Sequence, residues 1–351
     1  MTTGTRESAD DAARDAEPSR RPATVLAMAP EFVPALFDTE ARKRLRTFAS
    51  IDPDTVVHGP IHAEAGLAET EVLLTCWGAP RLDGATLAAL PRLRAVIHAA
   101  GSVKGIVTDA CRAAGIQVSS AAAMNAVPVA EHTVAMILLS NKRTLWLARR
   151  YSELRGAWHA SEIPHDIGNY GTTVGIVGAS WIGRRVIELL RPYDLHVLLA
   201  DPYLQADQAR RLGVELVDLD ELCRRSHIVS LHAPALPSTR HLLDASRLAA
   251  MGTGTTVINT ARGTLIDTAA LTREVASGRL YAVLDHTDPR ILPDDSPLYD
   301  SPNVLLTPHI AGSHGNELRR LGRSAVDELI RYATGEPFAY PVRYADLERS
   351  A

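Results

Sequence analysis

The feature that most constrains this chain is an alternation of short apolar runs with stretches of helical periodicity, which starts near residue 23. Strands that are apolar throughout and alternate with helices are typical of parallel sheets covered by helices on both faces. In the first part, "ATVLAMAP", "EVLLTCWG", "LRAVIHAAG" and "GIQVSS" predict strands, and "DGATLAALPRL" and "VTDACRAAG" predict helices. The alternation therefore predicts an α/β fold.

A long stretch of helical periodicity then separates the first alternating part from a second one. The stretch "PVAEHTVAMILLSNKRTLWLARRYSEL" predicts one long helix. After it, "TTVGIVG", "LHVLLAD", "HIVSLHAP", "TTVINTA", "LYAVLDH" and "NVLLTP" predict further strands, and "NELRRLGRSAVDELIRYATG" predicts a last helix ending at Gly335. Two α/β units are therefore expected.

Composition narrows the class of protein. The 351 residues suffice for two domains, and the net charge of −4 does not indicate nucleic acid or an anionic membrane as a partner. No uninterrupted apolar run reaches the ~18 residues of a membrane span, and no signal-peptide core is evident. The three cysteines lack metal-ligand spacing, so we expect no metal and a cytoplasmic location with reduced thiols. Residues 1–22 are polar and aperiodic, which predicts a disordered tail.

A nucleotide-binding turn is indicated by "TVGIVGASWIGRRVIELL", which is typical of a strand, a turn and a helix. Gly178, Ser180 and Gly183 occupy the three positions of the GxGxxG pattern, in which the helix N-terminus presents backbone N–H groups to a pyrophosphate. Serine at the middle position departs from the pattern. We expect the cofactor-binding turn to comprise, in full, Gly178, Ser180, Trp181, Ile182 and Gly183.

An acidic residue near the end of the next strand favours one cofactor over another. Asp201 lies 23 residues after Gly178, close to the ~20 expected for a carboxylate that bonds the ribose hydroxyls. Because a carboxylate there would repel the extra phosphate of NADP, NAD(H) is the predicted cofactor. The alternative is that Asp201 only initiates an Asp-Pro turn.

Two further strand ends carry side chains suited to catalysis. Arg262 in "VINTARGTLIDTAAL" could hold a carboxylate in bidentate fashion, and His309 in "LLTPHIAGS" could act as an acid or base. Taken alone, each has a simpler explanation, an exposed Arg-Gly turn and a structural histidine.

Together these segments, with "LHAPALPSTRHLLD", "LPDDSPLYDSPNVLLTPHIAGS" and "AVPVAEHTVAMIL" in this order, closely resemble the D-isomer-specific 2-hydroxyacid dehydrogenases. The resemblance runs from about residue 70 to 335. It implies two Rossmann-like parallel-sheet domains, one flavodoxin-like and one NAD-binding, with the active site in an interdomain cleft. The implied substrate domain comprises residues 23–125 and 313–351, and the implied NAD-binding domain residues 126–312. The family also implies a homodimer built on the long helix.

The resemblance assigns roles position by position. It implies that Arg262 binds the substrate carboxylate and polarises the carbonyl, and that His309 is the acid/base. Backbone N–H groups of the substrate-domain loop Gly101, Ser102 and Val103 would grip the carboxylate. On the cofactor side it implies contacts from Pro234, Thr239, Thr260, Ala261 and Asp285.

One position departs from the family pattern. The family's catalytic glutamate lies in a segment resembling D-V-T-D-P-E-P-L-P-x-D-S-P-L, and an ungapped match to residues 285–298 places Arg290 at that glutamate and His286 at the valine. A carboxylate beside histidine favours imidazolium, whereas a cation disfavours it. An inward-pointing Arg290 should therefore lower the pKa of His309.

Four interpretations of Arg290 stay open at this point. Asp288, two residues upstream, could substitute for the missing carboxylate. Arg290 could instead bind a second anionic group of the substrate. The site could be catalytically poor, which would leave an NAD(H)-binding sensor or scaffold of the same fold. Finally, Arg290 could simply point to solvent. The expected function is hydride transfer between NAD(H) and C2 of a small 2-hydroxy or 2-keto acid, and the sensor is the alternative.

Overall fold

The computed structural model describes residues 20–61 and 66–347, so nearly all of the expected tail lies outside the described residues. The chain divides into two compact units. Within the described residues, unit 1 contains 20–61, 66–125 and 315–347, and unit 2 contains 126–314. The expected crossings were 125/126 and 312/313, and those of the structure are 125/126 and 314/315.

Unit 1 is built on a parallel sheet of five strands in the order β2-β1-β3-β4-β5, the flavodoxin-like order. The strands are β1 Thr24–Ala27, β2 Val56–Val57, β3 Val72–Thr75, β4 Ala95–His98 and β5 Gln117–Ser120. Its helices are α1 Val33–Leu36, α2 Thr39–Phe48, α3 Gly84–Ala88, α4 Asp109–Ala113 and α12 Leu318–Thr334. Because β3 and β4 are buried at every residue, they carry the apolar runs from which they were predicted.

The last helix returns to the core of unit 1. Leu321, Val326 and Leu329 of α12 pack with Leu26 of β1 and Leu36 of α1 in one cluster of buried side chains. The helix ends as predicted at Gly335, whose φ of 79° lies in the left-handed region that glycine favours.

Unit 2 is built on a parallel sheet of seven strands in the order β12-β11-β10-β9-β6-β7-β8. The strands are β6 Thr173–Val177, β7 His196–Ala200, β8 Glu215–Leu216, β9 Ile228–Leu231, β10 Thr256–Asn259, β11 Tyr281–Leu284 and β12 Val304–Leu306. Its helices, after α5 Ala122–Asn141, are α6 Thr144–Leu154, α7 Trp181–Leu190, α8 Ala206–Leu212, α9 Leu219–Arg225, α10 Ala245–Ala250 and α11 Thr268–Ala276.

The strand order of unit 2 reverses direction between β6 and β9. From β6 the chain adds β7 and β8 on one side, and it then crosses back to add β9 to β12 on the other. This is the doubly wound order of dinucleotide-binding domains, and ligands of such sheets bind at the reversal, beyond the carboxyl ends of the strands. The predicted α/β fold with two Rossmann-like parallel sheets is confirmed.

The prediction of a single long helix between the units is wrong. The helix is divided into α5 and α6 at Arg143, whose φ is 52°. Its guanidinium donates to the Thr256 hydroxyl at 2.9 Å and to the Gly254 carbonyl, and it lies 4.0 Å from the centre of the Tyr281 ring. These contacts hold a non-glycine residue in the left-handed region and end the helix.

Helix α5 is long and apolar enough, by length and composition alone, to cross a membrane, although the sequence contains no uninterrupted apolar run of that length. A core helix of a globular domain meets the same criterion, and α5 buries Val129, Val134 and Ile137.

Candidate functional site

The nucleotide-binding turn joins β6 to α7 at the strand-order reversal. Gly178 has φ 98°, and a Cβ added there would lie 2.8 Å from the Ala233 nitrogen. A Cβ at Gly183 would lie 2.0 Å from the Gly178 carbonyl oxygen, so only glycine permits this approach of helix and strand. Ser180 is the N-cap of α7, and its hydroxyl accepts a hydrogen bond from the Gly183 N–H at 3.3 Å. The departure from the pattern at Ser180 therefore begins the helix.

The two residues between Ser180 and Gly183 point differently. Trp181 begins α7 and is 65% exposed, whereas Ile182 packs against the core of the sheet. Trp181 is therefore free to contact a bound nucleotide, while Ile182 acts through the position of the helix.

Asp201, just past β7, serves the turn directly. One carboxylate oxygen accepts from the Ala179 N–H at 2.7 Å, and the other accepts from the Tyr203 N–H at 2.8 Å. A carboxylate offers about four lone pairs, so these bonds leave acceptor capacity for ribose hydroxyls. The turn-forming role and the ribose-binding role are therefore compatible in one side chain.

The remaining cofactor-side residues follow β9 and β10. Thr239 donates its hydroxyl to the Pro234 carbonyl at 2.6 Å and accepts from the Leu236 N–H at 2.8 Å, which closes the loop after β9. Thr260 and Ala261 are buried just past β10. The glycine turn, the Asp201 carboxylate and these strand ends suit a dinucleotide, and they are the residues that would hold it.

Arg262 is placed by a buried asparagine at the end of β10. The Asn259 side chain accepts from the Ala261 N–H at 3.1 Å and donates to the Arg262 carbonyl at 2.9 Å. Arg262 itself is accessible to solvent and donates to the Ala261 carbonyl at 2.7 Å. Desolvation lowers the pKa of Arg262, and the nearby charge of Arg290 lowers it further.

His309 lies in a tight loop that Asp285 organises from the end of β11. The Asp285 carboxylate is buried and accepts from the Thr307 hydroxyl at 2.6 Å, the Ile310 N–H at 2.8 Å and the Ala311 N–H at 3.0 Å. Burial raises the pKa of Asp285, but these hydrogen bonds outweigh burial and leave it below the ordinary value. His309 has φ 61°, a left-handed conformation held by these loop contacts.

The ring of His309 contacts a second imidazole. The centroids of the His286 and His309 rings are 3.9 Å apart, with 57° between their planes. Burial lowers the pKa of His286 to about 4, with smaller lowering contributions from His309, Arg262 and Arg290. Burial likewise lowers the pKa of His309; Asp285 raises it, and Arg262 and Arg290 lower it. The pKa of His309 is lowered in the direction predicted for a nearby Arg290, but burial is the largest cause and Arg290 a smaller one.

Asp288, the candidate substitute for the missing glutamate, pairs with another residue, and Arg290 acts on the site through its charge. Arg290 is exposed, and its charge is close enough to lower the pKa values of Arg262, His286 and His309. The Asp288 carboxylate pairs with Arg240 at 3.5 Å, and over residues 20–61 and 66–347 no hydrogen bond joins it to His309. Asp285 is the carboxylate that raises the pKa of His309.

The substrate-loop residues Gly101, Ser102 and Val103 belong to unit 1 and follow β4, whereas Arg262, His309 and Arg290 belong to unit 2. The Val103 side chain is buried in the core of unit 1. Sequence reasoning noted the histidine at 286 but gave it no role, and it missed Thr307 and Arg240. The replacement of an apolar residue by His286 was a signal that could have been followed.

Comparison with known proteins identifies the family. The sequence model of the D-isomer specific 2-hydroxyacid dehydrogenase NAD-binding domain matches residues 134–311. The chain belongs to this family, and its cofactor is NAD(H).

Two individual relatives are similar in sequence to most of this chain. It is 33% identical over 288 residues to D-3-phosphoglycerate dehydrogenase of Mycobacterium leprae, which is 80% of this chain and 53% of that protein. It is 30% identical over 262 residues to glyoxylate reductase of Aeropyrum pernix, 73% of this chain and 78% of that protein. The chain therefore spans about half the length of its phosphoglycerate dehydrogenase relatives.

A solved structure shows the same architecture. The D-lactate dehydrogenase of Aquifex aeolicus, complexed with NAD and lactic acid, superposes with a TM-score of 0.68. The two share 26% identity over 90% of this chain and 96% of that one.

Proposed function

We propose that this protein transfers a hydride between NAD(H) and C2 of a small 2-hydroxy or 2-keto acid that carries a second anionic group. The observation that supports this most is the set of cations at the carboxyl ends of β10 and β11. Arg262 and Arg290 act on each other and on His309, while the Asp285 carboxylate is occupied by three donors. A site with that balance favours a substrate with two negative charges.

The side chains divide the chemistry in the usual way for carbonyl reduction. The bound NADH supplies the hydride. Arg262 binds the substrate carboxylate and stabilises the negative charge that develops on the carbonyl oxygen, and His309 gives that oxygen a proton. Because burial holds the pKa of His309 below its ordinary value, an anionic substrate that raises this pKa would favour the proton-donating form. In the reverse direction the neutral imidazole is the base.

The substrate class is tested by steady-state reduction of a 2-keto acid panel with wild type and Arg290→Glu. The panel pairs monoanions, such as pyruvate and glyoxylate, with dianions, such as oxaloacetate and 2-oxoglutarate. We expect wild type to prefer dianions, and Arg290→Glu to lose about 10- to 100-fold in kcat/KM for them alone, since like charges in contact cost several kcal/mol. The exposed Arg191→Glu is the matched charge-reversal control.

Other results would refute the proposal in different ways. A large gain of kcat on monoanions in Arg290→Glu, without loss on dianions, would instead indicate a missing acid/base partner. If neither protein reduces any of the keto acids, the proposed enzymatic activity is refuted. Tight NADH binding by a protein without turnover would support the alternative function, an NAD(H)-binding sensor or scaffold.

We further propose that the chain forms a homodimer through α5. Its apolar side chains Val127, Met136, Leu138 and Leu139 are only partly buried within this chain, which leaves apolar surface that a second copy could cover. Light scattering after gel filtration should give twice the mass of one chain. A monomer at micromolar concentration would exclude the dimer.

A further inference from the structure

The contact between the His286 and His309 rings lies at the point where the site departs from its family pattern. Both loops that carry these rings are anchored by Asp285, which precedes His286 directly and binds the loop of His309. The ring centroids are 3.9 Å apart, so the two imidazoles are in direct contact.

The groups around His309 leave few ways to orient its ring. They are Asp285 and His286 after β11, Arg262 after β10, Arg290 in the following loop, and His314, whose Nε2 lies 3.2 Å from the His309 carbonyl oxygen. Among the residues that the structure describes, no carboxylate oxygen bonds either imidazole. A histidine without such a partner rotates freely about its side-chain bonds unless something packs against it.

We propose that His286 is the positioning residue for His309: its ring packs on the acid/base imidazole and fixes its orientation, in place of the glutamate that Arg290 replaces. This rests on the proposed function, because it gives His309 the acid/base role. His286 needs no charge for the task, and its pKa of about 4 keeps it neutral at neutral pH.

On this proposal, the histidine at position 286 and the arginine at position 290 are linked departures from the family pattern. Where a carboxylate holds the histidine, an apolar residue at 286 is sufficient. Where position 290 is arginine, the ring at 286 supplies the orientation. His286 should accordingly matter when residue 290 is arginine and should cease to matter when it is glutamate.

A double-mutant cycle measures that dependence with a monoanionic keto acid, which avoids the separate effect of Arg290 on dianions. We expect His286→Val to lower kcat about tenfold with KM within a factor of about two, the scale of one aromatic contact. In the Arg290→Glu background the same change should cost less than about twofold. His286→Phe, which keeps a ring and removes the nitrogens, should retain most of the wild-type kcat. The exposed His58→Val in unit 1 is the control. Equal losses in both backgrounds, or a His286→Phe protein as poor as His286→Val, would overturn the proposal.

A measurement without turnover keeps this inference separate from the proposed function. In histidine labelled at Cε1 and the ring nitrogens, the His309 resonances are assigned by their loss in His309→Gln. Because burial lowers the pKa of His309, removal of the covering ring in His286→Val should raise that pKa toward the ordinary value, and His286→Phe should keep it low. An unchanged His309 titration in His286→Val would refute the ring contact whether or not the protein turns over any acid.

Discussion

Gly263 follows Arg262 directly and offers the sharpest perturbation of the site. A Cβ added there would lie 2.0 Å from both the carbonyl carbon and oxygen of Thr287, and 2.5 Å from the Asp288 nitrogen. Ordinary contact begins at 3.4 Å, so the Thr287–Asp288 peptide must move by 3.4 − 2.0, or about 1.4 Å. These atoms are backbone, and the segment connects His286 to Arg290, so the displacement cannot be absorbed by a flexible side chain.

Gly263→Ala should therefore reduce both stability and activity. Overpacking of this kind costs about 1–3 kcal/mol, which for a unit of this size lowers its melting temperature by roughly 3–10 °C. A shift of about 1 Å in the groups that surround the reaction lowers kcat by about 100-fold. Calorimetry and steady-state kinetics measure the two effects.

The matched control is Gly156→Ala in the same unit, where nothing lies within 4 Å of an added Cβ and where φ is not positive. Its melting temperature and kcat should stay close to wild type. A Gly263→Ala protein that melts and turns over like wild type would show that the close approach of these two loops is wrong.

Two further predictions concern titration and the loop of His309. His98 and His232 are fully buried with pKa values of about 4 and about 3, so the unfolded state binds more protons below pH 6.5, and the free energy of unfolding should fall as pH drops from about 6.5 to 4. Urea unfolding of wild type and His98→Asn checks this, since the variant should show a shallower slope and an identical slope would contradict it. Asp285→Asn removes the charge that raises the pKa of His309, so the pH profile of keto acid reduction should move to lower pH. The variant also turns an amide nitrogen toward a backbone N–H, so the free energy of unfolding should fall by about 1–3 kcal/mol. A profile that stays in place would show that Asp285 does not act on His309.

Much of the fold could be predicted because buried segments of the chain are rich in apolar residues. Strands such as β3 and β10 are buried at every residue, so each contains a run of apolar residues, and that run identifies them. The edge strands β2 and β8 were missed because each has only two residues, which are not all buried, so no apolar run marks them. The division of the long helix at Arg143 was missed because its cause is a distant contact with Gly254 and Thr256.

The nucleotide-binding turn shows how far a local motif reaches. Its glycines were readable because the need for a left-handed φ at Gly178 and for close packing at Gly183 excludes other side chains. That Asp201 bonds the turn through the Ala179 N–H was not readable, because the two residues lie on different strand ends.

The sequence by itself determined the family, the NAD(H) cofactor and the two parallel-sheet units, and its resemblance to the family predicts a glutamate where Arg290 stands. These follow from local patterns, in which residue type and spacing are sufficient. The tertiary structure decided which groups act on His309, because charge and packing depend on distances that spacing along the chain does not give. In the structure, Asp288 forms an ion pair with Arg240, Asp285 bonds the loop of His309, and the ring of His286 contacts the imidazole of His309.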